Sequence, residues 1–593
     1  MSAVRTAQAL TAAGSTWQPR LWLITRGAQA ANLAPPARDI PPAATGPGPV
    51  PPALAQSTLW GLGRSLQQEH AGIWGGLIDL DPDAGLEPDA GLEPDAGLEP
   101  DDGLEPDAGL EPDAAQLLTE IGYRGEQAPG AREDQIAFRG GERYLARLVR
   151  APLPDDGQAS GPGWRTDASY LITGGLGGLG LAVARSMVRA GARHLVLVGR
   201  TPIPPRAEWA ALPAGDPAAR RVAAVRELES LGASVLLASL DISDENAARR
   251  LLARFDAEGW PPIRGVVHAA GLGEVAPLAE LTPEDLDRHL RPKAGGAWVL
   301  HRLFAGRPLD FFVLFSSASS ILSSPFVASY AAANAFLDAL AHLRRGAGLP
   351  GLSINWGIWS QTGLAARGAE ATPGLSPGMG TLDPEQAVRA FHRLLRQGAG
   401  GHIAVVPVDW ATWGRRYTDV SGSALLCELV DERGSVRAER PGARTALLPS
   451  RSELLGLLPG ERLTVLTERL RLAVAATLGA KPDAVRVDQP LVDLGLDSLM
   501  AVELRNEAER QLGVTLPISV LLEGASVQRL AEQITGSLPD ETDGTADGGR
   551  PHRQGEEIRR VERSEDLATT LLAEIDELSD EEARTVLDQE TAR

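Results

Sequence analysis

The fold of the central region is indicated by residues 170–180, Tyr170-Leu171-Ile172-Thr173-Gly174-Gly175-Leu176-Gly177-Gly178-Leu179-Gly180. The first four of these residues are strand-like, the glycines form a turn, and a helical pattern follows from Leu181. Glycine permits positive φ, and without a Cβ the backbone can approach a pyrophosphate at a helix N-terminus. This strand–turn–helix order predicts a dinucleotide site. The alternative is a glycine-rich turn in an α/β domain that binds no nucleotide. The candidate cofactor-binding residues here are Thr173, Gly174, Gly175, Gly177, Gly178, Leu179 and Gly180.

Around this turn, from residue 166 to about 410, apolar strand-like runs alternate with helical patterns. Such alternation predicts an α/β fold with a doubly wound parallel sheet, Rossmann-like in form. The expected strands are Tyr170–Thr173, His194–Val198, Ser234–Leu237, Gly265–His268, Phe311–Phe315 and Leu352–Asn355.

The residues after the next strands indicate which nucleotide fits. The second strand ends in Gly199-Arg200, where an acid would suit the ribose of NAD and an arginine suits the 2′-phosphate of NADP. Asp241 follows the third strand and is expected near the adenine. Ala269, Ala270 and Gly271 follow the fourth and are expected near the cofactor ribose.

A possible catalytic group follows the strand that ends in Ser316-Ser317. Tyr330 comes thirteen residues after Ser317, and Asn334 shares a helix face with Tyr330 at i,i+4 spacing. A phenol is a weak acid near neutrality, with a pKa of about 10, and a nearby ammonium would lower that pKa. Lys293 is the available ammonium. Taken singly, such a serine and tyrosine are more often structural than catalytic.

Lysine is rare in this chain, which makes Lys293 notable by itself. Of 57 basic residues only Lys293 and Lys481 are lysine. The ammonium of lysine is a compact point charge, whereas the guanidinium of arginine is a planar fork, so the two are not interchangeable. A lysine retained in an arginine-rich chain therefore suggests a specific role. The alternative is that either lysine is there by chance.

Taken together, the glycine turn, Lys293, Ser317, Tyr330 and Asn334 resemble the ketoreductase domain of modular type I polyketide synthases, within the short-chain dehydrogenase/reductase superfamily. Ordinary members carry lysine four residues after the tyrosine, whereas polyketide ketoreductases have asparagine there and lysine on an earlier helix, as this chain does. The resemblance implies an NADPH-dependent β-ketoacyl reductase in which Tyr330 protonates the ketone oxygen and Ser317 hydrogen-bonds to it. Lys293 would then hold the phenol and the ribose, and Asn334 would orient the relay.

In this family two sequence marks distinguish the hydroxyl configurations of the product, and the chain has neither. A Leu-Asp-Asp motif marks one configuration, and at its position this chain has Leu272-Gly273-Glu274-Val275. A tryptophan marks the other configuration, and at its position this chain has Leu322. We expect the configuration made without the aspartate motif.

Residues 1–165 resemble the truncated structural Rossmann-like half that precedes such a reductase. In the family this half starts further upstream, so the resemblance implies that Met1 lies inside it, through a mispredicted start or a split gene. A repeat of Asp-Ala-Gly-Leu-Glu-Pro interrupts the region, and its residues 83–113 contain twelve acids and no lysine or arginine. Because it is low in apolar residues, we expect a disordered acidic insert.

A second motif, Leu494-Gly495-Leu496-Asp497-Ser498-Leu499, opens an amphipathic helix within a helical unit at 452–536. A serine after an aspartate at a helix start is often only an N-cap. The whole unit, however, resembles an acyl carrier protein with a four-helix bundle. The resemblance implies that Ser498 carries covalent 4′-phosphopantetheine, added by a phosphopantetheinyl transferase.

Other segments have weaker signals. Residues 411–451 are expected to be a linker, 537–563 a flexible linker, and 564–593 a helical tail that docks to another synthase polypeptide or is simply solvated. No GxSxG elbow or ketosynthase cysteine is apparent. We therefore expect ketosynthase and acyltransferase functions on upstream and downstream polyketide synthase polypeptides.

Composition excludes several classes of protein. The net charge of −21, of which the acidic insert supplies more than half, argues against a nucleic-acid partner. No apolar run is long enough to span a membrane, no signal peptide is evident, and the single Cys427 excludes disulfides and a cysteine-rich metal site. A cytoplasmic enzyme fits best. The alternatives are a carrier or interaction protein with a catalytically dead reductase scaffold, and a reductase–carrier piece of a fatty-acid-type synthase.

Overall fold

The computed structural model describes most of the chain between Met1 and Ser537. The ranges described are 1–12, 19–31, 51–82, 111–125, 133–151, 163–213, 215–360, 378–416, 424–431, 448–478, 480–494, 496, 498–514, 516, 520–521 and 524–537.

A seven-stranded parallel sheet forms the centre of the larger α/β region. Its strands are β5 (Ser169–Thr173), β6 (His194–Gly199), β7 (Ser234–Ser239), β8 (Ile263–His268), β9 (Phe311–Ser317), β10 (Leu352–Trp356) and β11 (Gly401–Val405). They are arranged in the order β11-β10-β9-β8-β5-β6-β7. The chain reverses its winding direction between β5 and β8, which is the position where ligands bind in such sheets. The predicted doubly wound sheet is therefore confirmed.

Helices cover both faces of this sheet. They are α5 (Gly178–Arg189), α6 (Pro217–Ser230), α7 (Glu245–Ala257), α8 (Pro283–Leu290), α9 (Gly296–Phe304), α10 (Ala328–Gly346) and α11 (Pro384–Arg396). Aspartates cap the first turns of several of them: Asp216, Asp244 and Asp383 each accept a backbone N–H with the side chain. Two separate buried clusters, one on each face, hold the helices to the sheet.

A smaller sheet precedes this region. Its strands are β1 (Leu21–Arg26), β2 (Trp74–Leu80), β3 (Gln135–Arg139) and β4 (Glu142–Leu145); the first three are parallel and β4 is antiparallel. The accompanying helices are α1 (Ser2–Ala12), α2 (Pro52–Gln56), α3 (Thr58–Glu69) and α4 (Glu111–Gly125). Helix α3 packs along α10 of the larger sheet region. The smaller sheet is thus attached to the helix that carries Tyr330.

The acidic insert is shorter than the sequence indicates. Residues 83–110 lie outside the described part of the chain, but 111–113 begin α4, and the buried carboxylate of Asp113 pairs with Arg26. The ion pair with Arg26 of β1 holds the end of the repeat against the smaller sheet. The composition of the repeat gives no sign of this contact.

The interval 411–451 is not a linker throughout. Helices α12 (Trp410–Arg416) and α13 (Cys427–Asp431) lie in it, with Trp413, Leu425, Leu426 and Leu429 buried. The apolar residues of this interval are too widely spaced to show a helical period in the sequence, but several of them are buried in the structure. Residues 417–423 and 432–447 lie outside the described part.

The carrier region consists of short and long helices around one core. They are α14 (Arg451–Leu455), α15 (Pro459–Leu478), α16 (Ser498–Leu512) and α17 (Val527–Gly536). Helix α15 packs against both α16 and α17. Apart from Ser537, the predicted flexible linker 537–563 and the tail 564–593 lie outside the described residues. Within the described part, no helix has both the length and the apolar character that a bilayer span requires.

Candidate functional site

The glycine turn lies where β5 meets α5, at the point where the sheet reverses its winding. Gly174 has a φ of +65°, and a Cβ there would come within 2.8 Å of the Ala269 carbonyl oxygen. Gly177 is the N-cap of α5 and supplies no side-chain cap, so the first N–H groups of α5 have no capping side chain. The turn therefore offers backbone donors and no steric obstruction to an anionic group.

Thr173 is buried and contacts the residues at the end of β8. Its Oγ1 lies 2.8 Å from His268 Nδ1 and accepts a hydrogen bond from Ala270 N at 3.3 Å. His268 Nε2 in turn lies 3.0 Å from the Lys293 carbonyl oxygen. Burial, and then the charge of Lys293, lowers the pKa of His268 to about 3, so this imidazole is neutral. His268 thus links the nucleotide turn to the lysine, a role that the sequence did not predict.

Arg200 and Asp241 lie at the ends of neighbouring strands. Arg200 is exposed, which leaves its guanidinium accessible. Asp241 Oδ1 accepts hydrogen bonds from the backbone N and the Oγ of Ser243. Burial alone would raise the pKa of Asp241, but these hydrogen bonds and the charges of Arg291 and Arg200 lower it overall. Asp241 is therefore ionised near Arg200.

Lys293 lies in a π-helical turn, Arg291–Gly295, between α8 and α9. Such turns are frequent at functional sites because they displace one residue from the regular helix. The Lys293 side chain is only 5% exposed, and its Nζ donates to the Phe315 carbonyl at 2.8 Å and to Asn334 Oδ1 at 2.7 Å. A Cβ at Gly271 would come within 2.6 Å of Lys293 Cε, so only glycine leaves room for this stem.

Tyr330, Ser317 and Asn334 come together with this lysine. Asn334 Nδ2 donates to the Tyr330 carbonyl at 2.8 Å, and the side chains of Ser317 and Asn334 lie near the Tyr330 phenol. Lys293 Nζ lies 5.2 Å from the centre of the Tyr330 ring, over its face. The four residues predicted from the sequence thus form one cluster at the carboxyl end of β9.

The pKa of Tyr330 moves in the opposite direction from the sequence-based expectation. Burial of the phenol raises its pKa, and the hydrogen bonds with Ser317 and Asn334 only partly offset this effect. The Tyr330 side chain still keeps some exposure to solvent. The phenol is therefore protonated near neutrality, and its raised pKa makes it a weaker acid than a free phenol.

A buried polar network beneath this cluster was not predicted. Asp338, one turn after Asn334 on α10, accepts hydrogen bonds from Ser320, Ser353 and Asn355 at 2.6–2.8 Å. Asn355 also donates to Ser316 Oγ at 3.1 Å. The network ties β9, β10 and α10 together behind the site. The i,i+4 spacing from Asn334 to Asp338 was the available signal for it.

The carrier serine stands at the first residue of α16. Nearby Leu491, Leu496 and Met500 are buried in the carrier core, which fixes the start of this helix. The side chain of Ser498 lies outside the described part of the structure.

Comparison with protein-family models finds two matches. Residues 168–361 match the KR domain, and residues 468–534 match the phosphopantetheine attachment site. The first range contains the glycine turn and the cluster around Tyr330, and the second contains Ser498.

Solved structures and curated proteins of related sequence agree with these matches. A structure described as "A-type Ketoreductases from Modular Polyketide Synthase" is 34% identical with a TM-score of 0.54, and the match covers 71% of this chain and 76% of that one. The 5-methyl-1-naphthoate synthase of Streptomyces sahachiroi is 35% identical over 89% of this chain and 26% of its own length. Erythronolide synthase EryA3 of Saccharopolyspora erythraea is 34% identical over 85% of this chain and 14% of its own length. The chain thus spans about a quarter or less of these curated relatives.

Proposed function

Because the chain belongs to the ketoreductase and carrier family of modular polyketide synthases, we propose that it reduces a β-ketoacyl thioester held on its own carrier domain to the β-hydroxyacyl thioester with NADPH. One observation carries this proposal: Lys293, Ser317, Tyr330 and Asn334 form a single cluster, and His268 links this cluster to the glycine turn.

The nucleotide turn fits a dinucleotide. A Cβ at Gly174 would fill the space beside Ala269, and the N-terminus of α5 has no capping side chain that would compete with a pyrophosphate. The exposed guanidinium of Arg200 suits a 2′-phosphate and disfavours an unphosphorylated ribose. When bound, NADPH supplies the hydride that reduces the ketone carbon.

The chain's own residues would position and protonate the ketone. Tyr330 is protonated near neutrality and would donate its phenolic proton to the oxygen, while the Ser317 hydroxyl would hydrogen-bond to the same oxygen. Lys293 and Asn334, joined at 2.7 Å, would hold the phenol in place from below. Asp338 would act as a positioning residue through Ser320 and Asn355.

The carrier would provide the substrate. A phosphopantetheinyl transferase would attach the arm to Ser498, and synthase polypeptides with ketosynthase and acyltransferase activity would load and receive the chain. A tethered thioester has a high effective concentration at its reductase. A cytoplasmic setting, where NADPH and coenzyme A are both present, completes the proposal.

The test is to mix the purified chain with NADPH and the N-acetylcysteamine thioester of 3-oxobutanoate. We expect loss of NADPH absorbance and equimolar 3-hydroxybutanoyl thioester, whose configuration chiral chromatography would assign. Absence of NADPH oxidation would instead favour a carrier or interaction protein with an inactive reductase scaffold.

A further inference from the structure

Glu69, at the C-terminal end of α3, ties together two loops beside the reductase site. Its carboxylate is 1% exposed and accepts the backbone N–H of Leu278 at 2.7 Å and of Phe326 at 2.9 Å. Leu278 follows β8 and Phe326 follows β9. The two loops also touch directly, since Ala276 N donates to the Phe326 carbonyl at 2.8 Å. Phe326 has a φ of 64°, an uncommon conformation for a residue other than glycine, so its loop depends on such support.

The carrier helix α16 lies against this same end of α3. It packs on the 3₁₀ turn Ala71–Ile73, and Asn506 Nδ2 donates to the Gln68 carbonyl at 3.4 Å. Arg505, on the helix that Ser498 begins, is only 5% exposed. Its Nη2 donates to Asn506 Oδ1 at 3.0 Å, and its Nε lies 3.8 Å from Glu509 Oε1.

Arg505 and Glu69 interact electrostatically across the contact. Burial raises the pKa of Glu69 to about 7, and the two backbone N–H groups and then the charge of Arg505 oppose that shift. Burial lowers the pKa of Arg505, and the charges of Glu509 and Glu69 oppose it. Each group therefore supplies part of the charge compensation that the other needs when both are removed from water.

Apolar packing continues across the contact. Ile321, Leu322 and Phe326, from the loop between β9 and α10, share one buried cluster with carrier residues Leu496 and Met500. This loop runs from Ser317 to Tyr330. The apolar core of the carrier is therefore continuous with the segment that presents two of the four site residues.

We propose that the reductase residues 68–73, with Arg505 and Asn506 of the carrier, form the docking surface on which the carrier presents its arm, and that Glu69 couples docking to the two loops of the site. This inference rests on the proposed function. Ser498 begins the helix that carries Arg505, about 10 Å away along the helix axis. Docking would thus fix the starting point of the arm relative to the reductase.

The electrostatics favour a specific contact over a tight one. Removing Arg505 and Glu69 from water costs free energy that their mutual attraction only partly offsets, whereas a wrong partner leaves one buried charge uncompensated. A carrier that must release its reductase and move on to other enzymes needs this combination.

The experiment compares tethered and free substrates on the full chain. The arm is installed as acetoacetyl-phosphopantetheine from acetoacetyl-coenzyme A, and single-turnover reduction is timed against reduction of the free N-acetylcysteamine thioester. Arg505→Gln should slow tethered reduction about tenfold and leave the free thioester rate within about twofold of the original. Arg529→Gln removes an exposed arginine from α17 and serves as the matched control, with both rates unchanged.

Two further variants make the test decisive. Asn506→Ala should lower only the tethered rate, by about threefold, because it removes the hydrogen bond to the Gln68 carbonyl and the one accepted from Arg505. Glu69→Gln loosens both loops, and combining it with Arg505→Gln should lower the tethered-to-free ratio no further than the worse single change. Measurement of the intact mass must show equal uptake of the arm in every variant. If Arg505→Gln fails to take up the arm, the comparison of tethered and free rates rests on Asn506→Ala.

The outcomes separate the two proposals. A tethered-to-free ratio unchanged in both Arg505→Gln and Asn506→Ala would overturn the docking surface while leaving the reductase proposal standing. Failure of the unmodified chain to oxidise NADPH with the free thioester would overturn the proposed function itself.

Discussion

At the residue scale, burial controls the two ionisable groups at the centre of the site. It raises the pKa of Tyr330 and lowers that of Lys293 to about 7, although the charge of Asp338 opposes the second shift. In both residues the neutral form is favoured, because the buried surroundings solvate a charge less well than water does. Tyr330 is therefore kept as a proton donor, and Lys293 becomes a group that titrates near neutrality.

Tyr330→Phe should abolish reduction and leave NADPH affinity near its original value. Only the proton donor is lost, because the ring packing and the Lys293–Asn334 hydrogen bond do not require the phenol oxygen. Turnover and NADPH titration by fluorescence would be measured side by side. A parallel loss of affinity would assign Tyr330 a structural role.

Arg200→Asp should shift cofactor preference from NADPH toward NADH. The exposed guanidinium would be replaced by a carboxylate that repels a 2′-phosphate and accepts a ribose hydroxyl. The ratio of kcat/KM for the two cofactors reports the change directly. If this ratio stays the same, Arg200 makes no contact with the phosphate.

Lys293 should make the free energy of unfolding depend on pH. Its pKa is about 7 in the folded state against an ordinary 10.5, so between these values the unfolded chain binds more protons. Stability therefore rises with pH across that window and falls as pH drops toward 7. Between about pH 7.5 and 9.5, the gain should be about 2 kcal/mol larger than in Lys293→Met, measured by urea unfolding without cofactor. Equal gains would mean that Lys293 keeps its ordinary pKa.

At the element scale, the site depends on the close approach of α3 and α10. A Cβ at Gly61 of α3 would lie 2.2 Å from the Ala331 carbonyl oxygen of α10, next to Tyr330. The helix of the smaller sheet therefore supports the helix that carries the proton donor. Arg64 of α3 adds a hydrogen bond to the Ser320 carbonyl, within the loop that follows Ser317.

Gly61→Ala should force α3 and α10 apart, lowering stability by about 1–3 kcal/mol and reducing turnover. Gly122→Ala in α4 is the matched control, since a Cβ there meets nothing within 4 Å and alanine favours a helix. Urea unfolding and NADPH oxidation would be compared in both variants. Original stability in Gly61→Ala would show that the two helices can adjust without cost.

At the scale of the whole molecule, reduction and tethering reside in different parts of the chain. The Tyr330 cluster lies at the carboxyl end of β9, and Ser498 begins α16 of the helical carrier. The predicted linker 411–451 lies between the two parts and includes α12 and α13, which have buried side chains. Fewer than its 41 residues can therefore act as a flexible tether.

Ser498→Ala should take up no phosphopantetheine when coenzyme A and a pantetheinyl transferase are supplied, whereas the original chain should gain one arm by intact mass. The variant should still reduce the free thioester at the original rate, because the reductase cluster contains no carrier residue. Lost activity on free substrate would contradict the division of labour between the two parts.

Local patterns in the sequence were enough to predict the parallel sheet, the glycine turn and the helical carrier. Strand–turn–helix order and helical periodicity are short-range properties, so they can be read without knowing what packs against them. Resemblance to a family then supplied Lys293, Ser317, Tyr330 and Asn334 as a set, and the structure brings the four together.

Only the tertiary structure decided what surrounds that set. Lys293 meets an acceptor 41 residues away, Asp338 accepts hydrogen bonds from three donors in two segments, and Glu69 joins loops more than 200 residues further along the chain. The direction of the Tyr330 pKa shift likewise depends on burial, to which many elements contribute at once. Such contacts and desolvation arise from packing between distant segments, and no local spacing encodes them.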